Sequence, residues 1–354
     1  MRIIVTGGAG FIGYNLVRFL AEQNDTCILN IDKLVFPGSS YTISELDSLP
    51  PTKYIFSRTD ICDITEVNRL FNEFKPDVVM HLAAESHVDR SIDKPGSFIQ
   101  SNIIGTYNLL VVAKDYWNKL PESCRKTFRF HHVSTDEVFG SLDFDEKKFT
   151  EETPYAPNSP YSASKAAADH LVRAWHHTYG LPVVISNCSN NYGPYQYPEK
   201  LVPLMITKAL RGESLPVYGD GKNVRDWLFV EDHVSALVEI MQHGTIGQSY
   251  NVGGNCEKSN NEIVESICQI LDQLLPDSQN RPHNKLITYV TDRPGHDKRY
   301  AMDFTKLDKE LGWKPKYSFD EGLLKTVRWY MDNMDWCNLV TENHYAGERL
   351  GLGK

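Results

Sequence analysis

The chain has 354 residues, 41% hydrophobic and 23% charged, and its 37 Lys and Arg against 46 Asp and Glu give a net charge of −9. This length and composition are those of a folded globular protein with one large or two ordinary domains, and they exclude a disordered or collagen-like chain. The acidic balance argues against sequence-independent binding to nucleic acid, which requires a basic face. We therefore expect no nucleic-acid partner.

No segment of the sequence has the roughly 20 consecutive apolar residues that a membrane-spanning helix requires. Met1-Arg2 leads directly into an apolar run, without the charged and apolar regions of a secretory signal. The seven cysteines are scattered and form no Cys-x-x-Cys pair, which favours free thiols in a reducing compartment over disulfides or zinc ligands. We expect a cytoplasmic protein with no membrane partner.

Short apolar runs alternate with segments of helical periodicity through the first half of the chain. The predicted strands are Arg2–Thr6, Cys27–Ile31, Tyr54–Ser57, Asp77–His81 and Phe128–Ser134, and the predicted helices are Phe11–Gln23, Ile64–Phe74 and Phe98–Trp117. This alternation predicts an α/β fold with a doubly wound parallel sheet that is covered by helices on both faces. The carboxyl ends of its strands meet at one edge, where ligands bind.

After about Asn187 the segments become shorter and richer in proline and glycine. Helical spacing recurs in Glu199–Arg211, Val230–Gln242, Asn260–Leu274 and Phe319–Asn333. We predict a dinucleotide-binding domain over residues 1–190 and a smaller C-terminal α/β substrate lobe that is formed mainly by residues 191–354. The boundary is approximate and allows the two parts to be interleaved.

A glycine-rich turn follows the first predicted strand and begins the first helix. Gly7, Gly10 and Gly13 form a Gly-x-x-Gly-x-x-Gly pattern, which lets backbone N–H groups at a helix N-terminus approach a diphosphate. Asp32, 19 positions after Gly13, ends the second strand, where a carboxylate accepts the adenosine ribose hydroxyls and repels a 2′-phosphate. The pattern predicts a Rossmann-type NAD site, and its alternative is a structural turn that binds nothing.

Two further motifs carry groups for acid–base chemistry. Tyr161 and Lys165 are four positions apart, so on a helix the phenol and the ammonium share a face. The ammonium, together with an oxidised nicotinamide, favours phenolate, and Tyr161 then acts as a base near neutral pH. Thr135-Asp136-Glu137 follows a predicted strand and offers an acid and a base that hydride transfer alone does not need. The alternatives are chance spacing and a solvated turn.

Taken together, these motifs resemble the extended short-chain dehydrogenase/reductase family over about residues 1–190. The Thr-Asp-Glu triplet is similar to that of the dTDP-glucose 4,6-dehydratases within this family. Further segments match the same family, namely His81–Ser91, Ser186–Pro194, Pro198–Leu201, Arg225–Asp232 and Asp292–His296. A weaker match lies at His344-Tyr345. The stretch Val35–Ser39 departs from the family pattern beside the adenosine.

The resemblance implies an NAD-dependent lyase that converts dTDP-glucose to a 4-keto-6-deoxy sugar and water, for deoxysugar (rhamnose-type) biosynthesis. Tyr161 would take the 4-hydroxyl proton, Glu137 the C5 proton, and Asp136 would protonate the departing 6-hydroxyl. Thr135 and Lys165 complete the implied catalytic set.

The resemblance also implies two sets of binding residues. The NAD-binding set comprises Gly7, Gly10, Phe11, Ile12, Gly13, Asp32, Lys33, Leu34, Asp60, Ile61, Leu82, Ala83, Ala84, Ser86, Ser101, Tyr161, Lys165 and Asn191. The substrate-binding set comprises Ser86, Asn102, Thr135, Asn190, Glu199, Lys200, Leu201, Pro216, Tyr218, Arg225, Asn260, Asp292, Arg293, His296 and Tyr345. Within it, Lys200, Arg225 and Arg293 are the cations that we expect at the diphosphate.

Three alternatives remain open. The substrate could be UDP-glucose, the reaction could be that of a nucleotide-sugar 4-epimerase or a UDP-glucuronate decarboxylase, or the chain could be a non-catalytic NAD-binding regulator. The pairs His131-His132 and His176-His177 lack Asp or Cys at ligand spacing, so we expect no metal. The apolar faces of Asn102–Trp117 and Ser164–Tyr179 exceed what one sheet needs, and the family pairs such helices in a homodimer.

Overall fold

The fold is described by a computed structural model of residues 1–35, 39–293 and 295–341. The predictions for Tyr345 and for most of Val35–Ser39 lie outside these residues. The strands are β1 (Arg2–Thr6), β2 (Cys27–Asp32), β3 (Tyr54–Arg58), β4 (Val78–His81), β5 (Arg129–Thr135), β6 (Val183–Cys188), β7 (Asn190–Tyr192), β8 (Leu215–Tyr218), β9 (Val224–Phe229), β10 (Ser249–Val252), β11 (Glu257–Ser259) and β12 (Ile287–Val290).

The helices connect these strands and cover the sheet that they form. They are α1 (Phe11–Glu22), α2 (Ser39–Ser44), α3 (Ile64–Phe74), α4 (Val88–Asp93), α5 (Pro95–Phe98), α6 (Thr106–Lys119), α7 (Glu122–Thr127), α8 (Pro160–Tyr179), α9 (Leu201–Arg211), α10 (Val230–His243), α11 (Asn260–Leu274), α12 (Thr305–Leu311), α13 (Phe319–Asp332) and α14 (Met334–Thr341). Among the described residues, no helix combines the length and the apolar character that crossing a membrane requires.

In the described part of the chain, seven parallel strands form the central sheet in the order β10-β6-β5-β4-β1-β2-β3. The chain runs outward from β1 in one direction through β2 and β3, and returns to the other side of β1 as β4. The carboxyl ends of β1 and β4 therefore flank the point at which the strand order reverses, where such sheets bind ligands. The predicted doubly wound α/β fold is confirmed.

The sheet is buried on both faces, which explains why its strands are continuous apolar runs rather than alternating ones. Along β1, Ile4 packs with Phe71 on one face, whereas Ile3 and Val5 pack with Leu16 of α1 on the other. All three strand residues are fully buried. Alternating side chains thus reach two separate cores, which together hold the strand ends in fixed positions.

The segment predicted as one helix over Phe98–Trp117 is more complex. The chain is α-helical in α5, π-helical over Ile99–Gly105, and α-helical again in α6. The wider π turn directs both Ser101 and Asn102 inward, where they are 4% and 1% exposed. The prediction of a single continuous α-helix is therefore wrong at its N-terminal turns, because apolar periodicity cannot reveal a one-residue expansion of the helix.

The second half of the chain builds a separate core and also contributes to the central sheet. The strands β11, β9 and β7 form one small sheet, and β12 and β8 form another. Residues of α9, α11 and α13 pack together against these strands. In contrast, β10 joins the central sheet beside β6. Our division of the chain near residue 190 stays a prediction, and the return of β10 supports the interleaving that it allows.

Candidate active site

The glycine turn between β1 and α1 has space only for backbone. Gly7 has φ +74°, a conformation that favours glycine. A Cβ atom at Gly13 would lie 2.1 Å from the Gly7 carbonyl oxygen, and one at Gly7 would lie 2.6 Å from the backbone nitrogen of Ala83. The N-cap of α1, Gly10, makes no side-chain capping bond, so the first N–H groups of α1 are open to an anion. The turn fits the diphosphate of a dinucleotide.

Asp32 lies at the end of β2 beside this turn. Its carboxylate accepts hydrogen bonds from the backbone N–H of Ala9 at 3.1 Å and of Leu34 at 2.8 Å. Burial raises the pKa of Asp32, and these two hydrogen bonds lower it. The Nζ of the neighbouring Lys33 donates a hydrogen bond to Ser101 Oγ at 2.9 Å. Asp32, Lys33 and Ser101 therefore lie together beside the glycine turn, and binding of an adenosine ribose by Asp32 stays a prediction.

A cavity of about 350 Å³ runs from the glycine turn to the end of β5. It gathers nearly all of the predicted NAD-binding residues, namely Gly7, Gly10, Phe11, Ile12, Gly13, Asp32, Lys33, Ile61, Leu82, Ala83, Ala84, Ser86, Ser101, Tyr161, Lys165 and Asn191. Leu34 and Asp60 do not line it. Leu34 supports Asp32 through its backbone, and Asp60 accepts from the backbone N–H of Cys62 and lies 3.8 Å from Lys33 Nζ.

The five predicted catalytic residues meet in the wall of this cavity. Thr135 ends β5, and Asp136 and Glu137 begin a 3₁₀ turn for which Thr135 is the N-cap. Tyr161 lies in the first turn of α8, which begins with a proline and a capping box at Ser159. The Lys165 Nζ donates to the Val133 carbonyl at 2.8 Å, which ties α8 to β5.

The two adjacent carboxylates have different surroundings. Asp136 is 2% exposed, and its Oδ2 has no hydrogen-bond partner among the described residues. Burial raises the pKa of Asp136 well above its usual range, and the charges of Glu137 and Asp226 add to this effect. Burial also raises the pKa of Glu137, whereas the charges of Arg293, Arg225 and Lys200 lower it. The arrangement favours a protonated Asp136 beside an ionisable Glu137.

The phenol of Tyr161 is protonated in the protein alone. Burial and the charge of Glu137 raise its pKa well above the usual value, and a hydrogen bond with Thr135 opposes them. Burial lowers the pKa of Lys165, and the carboxylate of Asp169 raises it. The predicted phenolate depends on the positive charge of a bound cofactor and stays a prediction.

A second cavity of about 350 Å³ adjoins the first. The two share a boundary formed by Ser86, His87, Glu137, Asn190, Glu199 and Lys200. Of the predicted substrate residues, the second cavity is lined by Ser86, Asn190, Glu199, Lys200, Leu201, Pro216, Tyr218, Arg225, Asn260, Arg293 and His296. Thr135 lines the first cavity. Glu137 therefore stands where the two cavities meet.

Two predicted substrate residues, Asn102 and Asp292, line neither cavity. Asn102 Oδ1 accepts from the backbone N–H of Glu85, and Asn102 Nδ2 donates to the Glu85 carbonyl and to Ser164 Oγ. Asp292 Oδ1 lies 2.7 Å from His296 Nδ1. Both residues contact groups that line a cavity, Glu85 and His296, and their part in substrate binding stays a prediction.

Three cations surround the second cavity. Arg225 is 5% exposed, its guanidinium lies 4.3 Å from the centre of the Tyr300 ring, and its Nη2 donates to the Asp297 carbonyl at 3.0 Å. Arg293 pairs with Asp89. Lys200 Nζ donates to the Ser86 carbonyl at 3.1 Å. The same cavity is also lined by three carboxylates, Asp89, Glu137 and Glu199, so its cations are placed singly rather than as an unbalanced positive patch.

Some lining residues were not predicted from the sequence. His87 lies within the motif His81–Ser91 and could have been named from it. Tyr300 lies 75 positions after Arg225 and lines the second cavity because Val224 and Arg299 form a β-bridge.

Trp336 and Val340 of α14 line the first cavity. No local pattern signals such distant contacts.

The adjacent histidines of β5, His131 and His132, form hydrogen bonds to buried side chains. His131 Nε2 lies 2.9 Å from Ser186 Oγ, and His132 Nε2 lies 3.1 Å from Asp169 Oδ1. The two rings point to opposite faces of β5, as neighbours in a strand do. Within residues 1–35, 39–293 and 295–341, no group of three or more His, Cys, Asp and Glu side chains is placed to hold a metal ion.

Comparison with known proteins agrees with this geometry. The model of the GDP-mannose 4,6 dehydratase family matches residues 4–326. The chain is 54% identical to a dTDP-glucose 4,6-dehydratase of Neisseria meningitidis serogroup B over 100% of this chain and 99% of that protein. It is 56% identical to one of Xanthomonas campestris pv. campestris over 98% of each.

Among solved structures, a dTDP-glucose 4,6-dehydratase of Bacillus anthracis in complex with NAD superposes with a TM-score of 0.84 at 44% identity, covering 96% of this chain and 99% of that one. A dTDP-glucose 4,6-dehydratase of Streptomyces venezuelae, also with NAD bound, gives 0.85 at 41% identity, covering 96% and 100%.

A family model that matches nine-tenths of the chain, on a sheet and a pair of cavities of this kind, defines a 4,6-dehydratase of the extended short-chain dehydrogenase/reductase class. Identities above one half along the full length of several relatives make the assignment more specific. The chain belongs to the dTDP-glucose 4,6-dehydratase family.

Proposed function

We propose that residues Thr135, Asp136, Glu137, Tyr161 and Lys165 of this chain carry out the conversion of dTDP-glucose to dTDP-4-keto-6-deoxyglucose and water. The chain is an NAD-dependent lyase, and its substrate is a nucleotide sugar. One observation carries the assignment of roles: Glu137 lines both cavities, with Asp136 and Tyr161 beside it in the wall of the first.

The residues of the first cavity fit NAD. The glycine turn leaves room for the diphosphate, and Asp32 would hold the adenosine ribose. Lys165 would hold the nicotinamide ribose and so place the nicotinamide near Tyr161. When bound, NAD supplies an acceptor for a hydride from C4 of the sugar and a donor for its return to C6.

The proton transfers are assigned to side chains of the chain itself. Tyr161 accepts the proton of the 4-hydroxyl, and the Thr135 hydroxyl fixes its orientation. The 4-keto group makes the C5–H acidic enough for the Glu137 carboxylate to remove it. Asp136, whose pKa is raised by burial, gives a proton to the 6-hydroxyl, which leaves as water, and Glu137 returns a proton to C5 when C6 is reduced.

Substrate binding is assigned to the second cavity. Arg225, Arg293 and Lys200 would neutralise the diphosphate, and two guanidinium groups suit phosphate oxygens because they donate in a fork. The sugar would then extend from this cavity to the shared boundary at Ser86 and Glu137.

The test is Glu137→Gln, incubated with dTDP-glucose in D₂O. We expect the variant to lose C5 exchange with solvent and turnover, while it retains bound NAD. The matched control is Glu122→Gln, an exposed carboxylate of α7 whose side chain is 81% exposed. Unchanged exchange in Glu137→Gln would remove this residue from the mechanism.

The same assay separates the remaining alternatives. Faster turnover of UDP-glucose than of dTDP-glucose would indicate a UDP-glucose 4,6-dehydratase. A sugar inverted at C4, or loss of CO₂ from UDP-glucuronate, would indicate an epimerase or a decarboxylase. Binding of NAD without turnover of any nucleotide sugar would indicate a regulator.

We further propose a homodimer formed through α6 and α8. Ile99, Ile104, Tyr107 and Tyr179 are large apolar or aromatic side chains that are 39–49% exposed on or beside these helices. Tyr107 contacts Trp175 of α8 with 5.8 Å between ring centres, and Trp175 contacts Tyr179 with 5.4 Å between ring centres, so Tyr107 and Tyr179 belong to one aromatic surface. A second copy of the chain would bury it.

A cytoplasmic location remains our proposal. It is supported by the seven cysteines, all of which lie in the described residues and are free thiols.

A further inference from the structure

The last described helix, α14, lies against the cofactor cavity. Trp336 and Val340 both line the first cavity. They are four positions apart, so they lie on one face of the helix. At 1.5 Å per residue, the eight residues of α14 span about 12 Å, which is long enough to cross part of a dinucleotide. Neither residue lines the second cavity.

One end of α14 is joined to the segment that follows β2. The Trp336 Nε1 donates to Thr42 Oγ1 at 3.3 Å, and Thr42 also lines the first cavity. Thr42 belongs to α2, which begins seven residues after Asp32, the carboxylate assigned to the adenosine ribose. Trp336 therefore stands at the adenosine end of the cavity.

The other end of α14 is joined to the boundary between the cavities. The hydroxyl of Tyr197 donates to the Val340 carbonyl. Tyr197 lines the first cavity and lies two positions before Glu199, which lines both. The helix thus extends from the adenosine end toward the place where the substrate cavity begins.

An aromatic cluster connects α14 to the helix that follows the glycine turn. The Trp336 ring lies 5.2 Å from Trp329 and 5.8 Å from Tyr195, and the Tyr195 ring lies 4.7 Å from Tyr14 of α1. The hydroxyls of Tyr14 and Tyr195 both donate to Glu45, just after α2. Because α1, α2 and α14 are joined in this way, movement of α14 away from the cavity would disrupt contacts on all three.

We propose that α14 is a roof over the adenosine half of the NAD cavity, and that Trp336 and Val340 hold the cofactor in place between turnovers. The inference rests on the proposed function in one respect: that reaction leaves NAD as it began, so the enzyme needs no exchange of cofactor during catalysis. The nucleotide sugar would bind in the second cavity, which α14 does not line. Substrate binding and product release therefore do not require α14 to move away from NAD.

The experiment measures release of NAD from the purified holoenzyme after dilution, followed by rapid filtration and assay of free NAD. Trp336→Ala should release NAD about tenfold faster than the unaltered chain, which corresponds to about 1.4 kcal/mol. The Michaelis constant for dTDP-glucose should change by less than about twofold. Release from Trp336→Ala at a rate within twofold of the unaltered chain would overturn the proposal.

Leu339→Ala is the matched control, because Leu339 lies on the same helix and is 40% exposed. It should release NAD at the unaltered rate. If Trp336→Ala does not fold, hydrogen exchange of the unaltered chain decides: NAD loading should slow amide exchange in residues 334–341, and equal exchange with and without NAD would overturn the proposal. An unaltered chain that holds no NAD would instead contradict the proposed function.

Discussion

Asp136 and Glu137 are neighbours in the chain, and burial raises the pKa of both, but the charges around them differ. Asp136 Oδ1 accepts from the Thr135 hydroxyl at 3.3 Å, and burial keeps the pKa of Asp136 well above its usual range. Glu137 faces Arg293, Arg225 and Lys200, whose charges oppose the effect of burial on the pKa of Glu137. This difference in surroundings supports the proposed roles of Asp136 as the acid and Glu137 as the base.

Asp136→Asn should separate the two steps that these groups serve. Without the acid, loss of the 6-hydroxyl should slow by about 10²–10⁴-fold, the usual contribution of a positioned general acid. Exchange of the C5 proton should persist, because Glu137 is intact. Product formation and C5 exchange in D₂O are measured in parallel, and equal loss of both would contradict the separation of roles.

At the scale of the element, α8 carries three functional positions on one face. Tyr161, Lys165 and Asp169 are spaced by four residues, and Asp169 accepts from Ser134 Oγ at 2.8 Å and from Tyr155 at 2.8 Å, with His132 Nε2 at 3.1 Å. These donors, with the charge of Lys165, hold the pKa of Asp169 below its usual value although the residue is fully buried. The network fixes the register of α8 on β5.

Asp169→Asn should destabilise the fold in a pH-dependent way. Because the folded-state pKa of Asp169 is lowered, its contribution to the free energy of unfolding is present above the unfolded-state pKa and is lost as pH falls through the folded-state pKa. Removing the charge leaves these buried donors without a full acceptor, which should cost on the order of 1–3 kcal/mol at neutral pH.

Urea unfolding at pH 7 and at successively lower pH measures this difference. The gap between Asp169→Asn and the unaltered chain should shrink on acidification. Asp115→Asn, which removes a half-exposed partner of Lys114, should change stability little at any pH. A gap that is constant with pH would contradict the assigned cause.

The glycine turn gives a second prediction at this scale. Gly13→Ala places a Cβ atom 2.1 Å from the Gly7 carbonyl oxygen, so the turn must open and NAD binding should weaken by about 100-fold or more, or about 2.7 kcal/mol. Gly96→Ala, where a Cβ atom meets nothing within 4 Å, is the control. Titration with NAD measures both, and equal affinities would show that the turn does not hold the diphosphate.

Local patterns predicted most of the elements that hold the site. The strands β1 to β5 and the helices α1 and α3 lie within two residues of their predicted bounds, because each combines an apolar run with a clear stop signal. The strands β6 and β10 were not predicted, although both join the central sheet. A short apolar run does not reveal which sheet it enters, since that depends on distant partners.

At the scale of the whole molecule, the site brings together motifs that are separate in the sequence, each of which can be recognised there by itself. The glycine turn, Thr135-Asp136-Glu137 and Tyr161/Lys165 were predicted because each is a short pattern with its own chemistry. The stacking of Tyr300 on Arg225 and the position of Trp336 over the first cavity were not. These contacts join residues that are distant in the chain, and only the packing of the second half against the first creates them.

The proposed homodimer gives the prediction at this scale. Ile104→Asp places a charge on a surface that a second copy would bury, and it should convert the dimer to a monomer, as sedimentation equilibrium would measure. Tyr289→Asp, which alters a 61% exposed residue of β12, is the control and should stay dimeric. A dimer that survives Ile104→Asp would place the interface elsewhere.

The central claim, a dehydration in which the hydrogen from C4 returns to C6 within one closed site, is tested most directly with dTDP-glucose that carries deuterium at C4. NMR of the product formed in ordinary water should show that deuterium at C6 of the 4-keto-6-deoxy sugar, and unlabelled dTDP-glucose converted in D₂O should give a product with deuterium at C5. Deuterium found in the solvent, or retained at C4 of an epimerised sugar, would contradict the account.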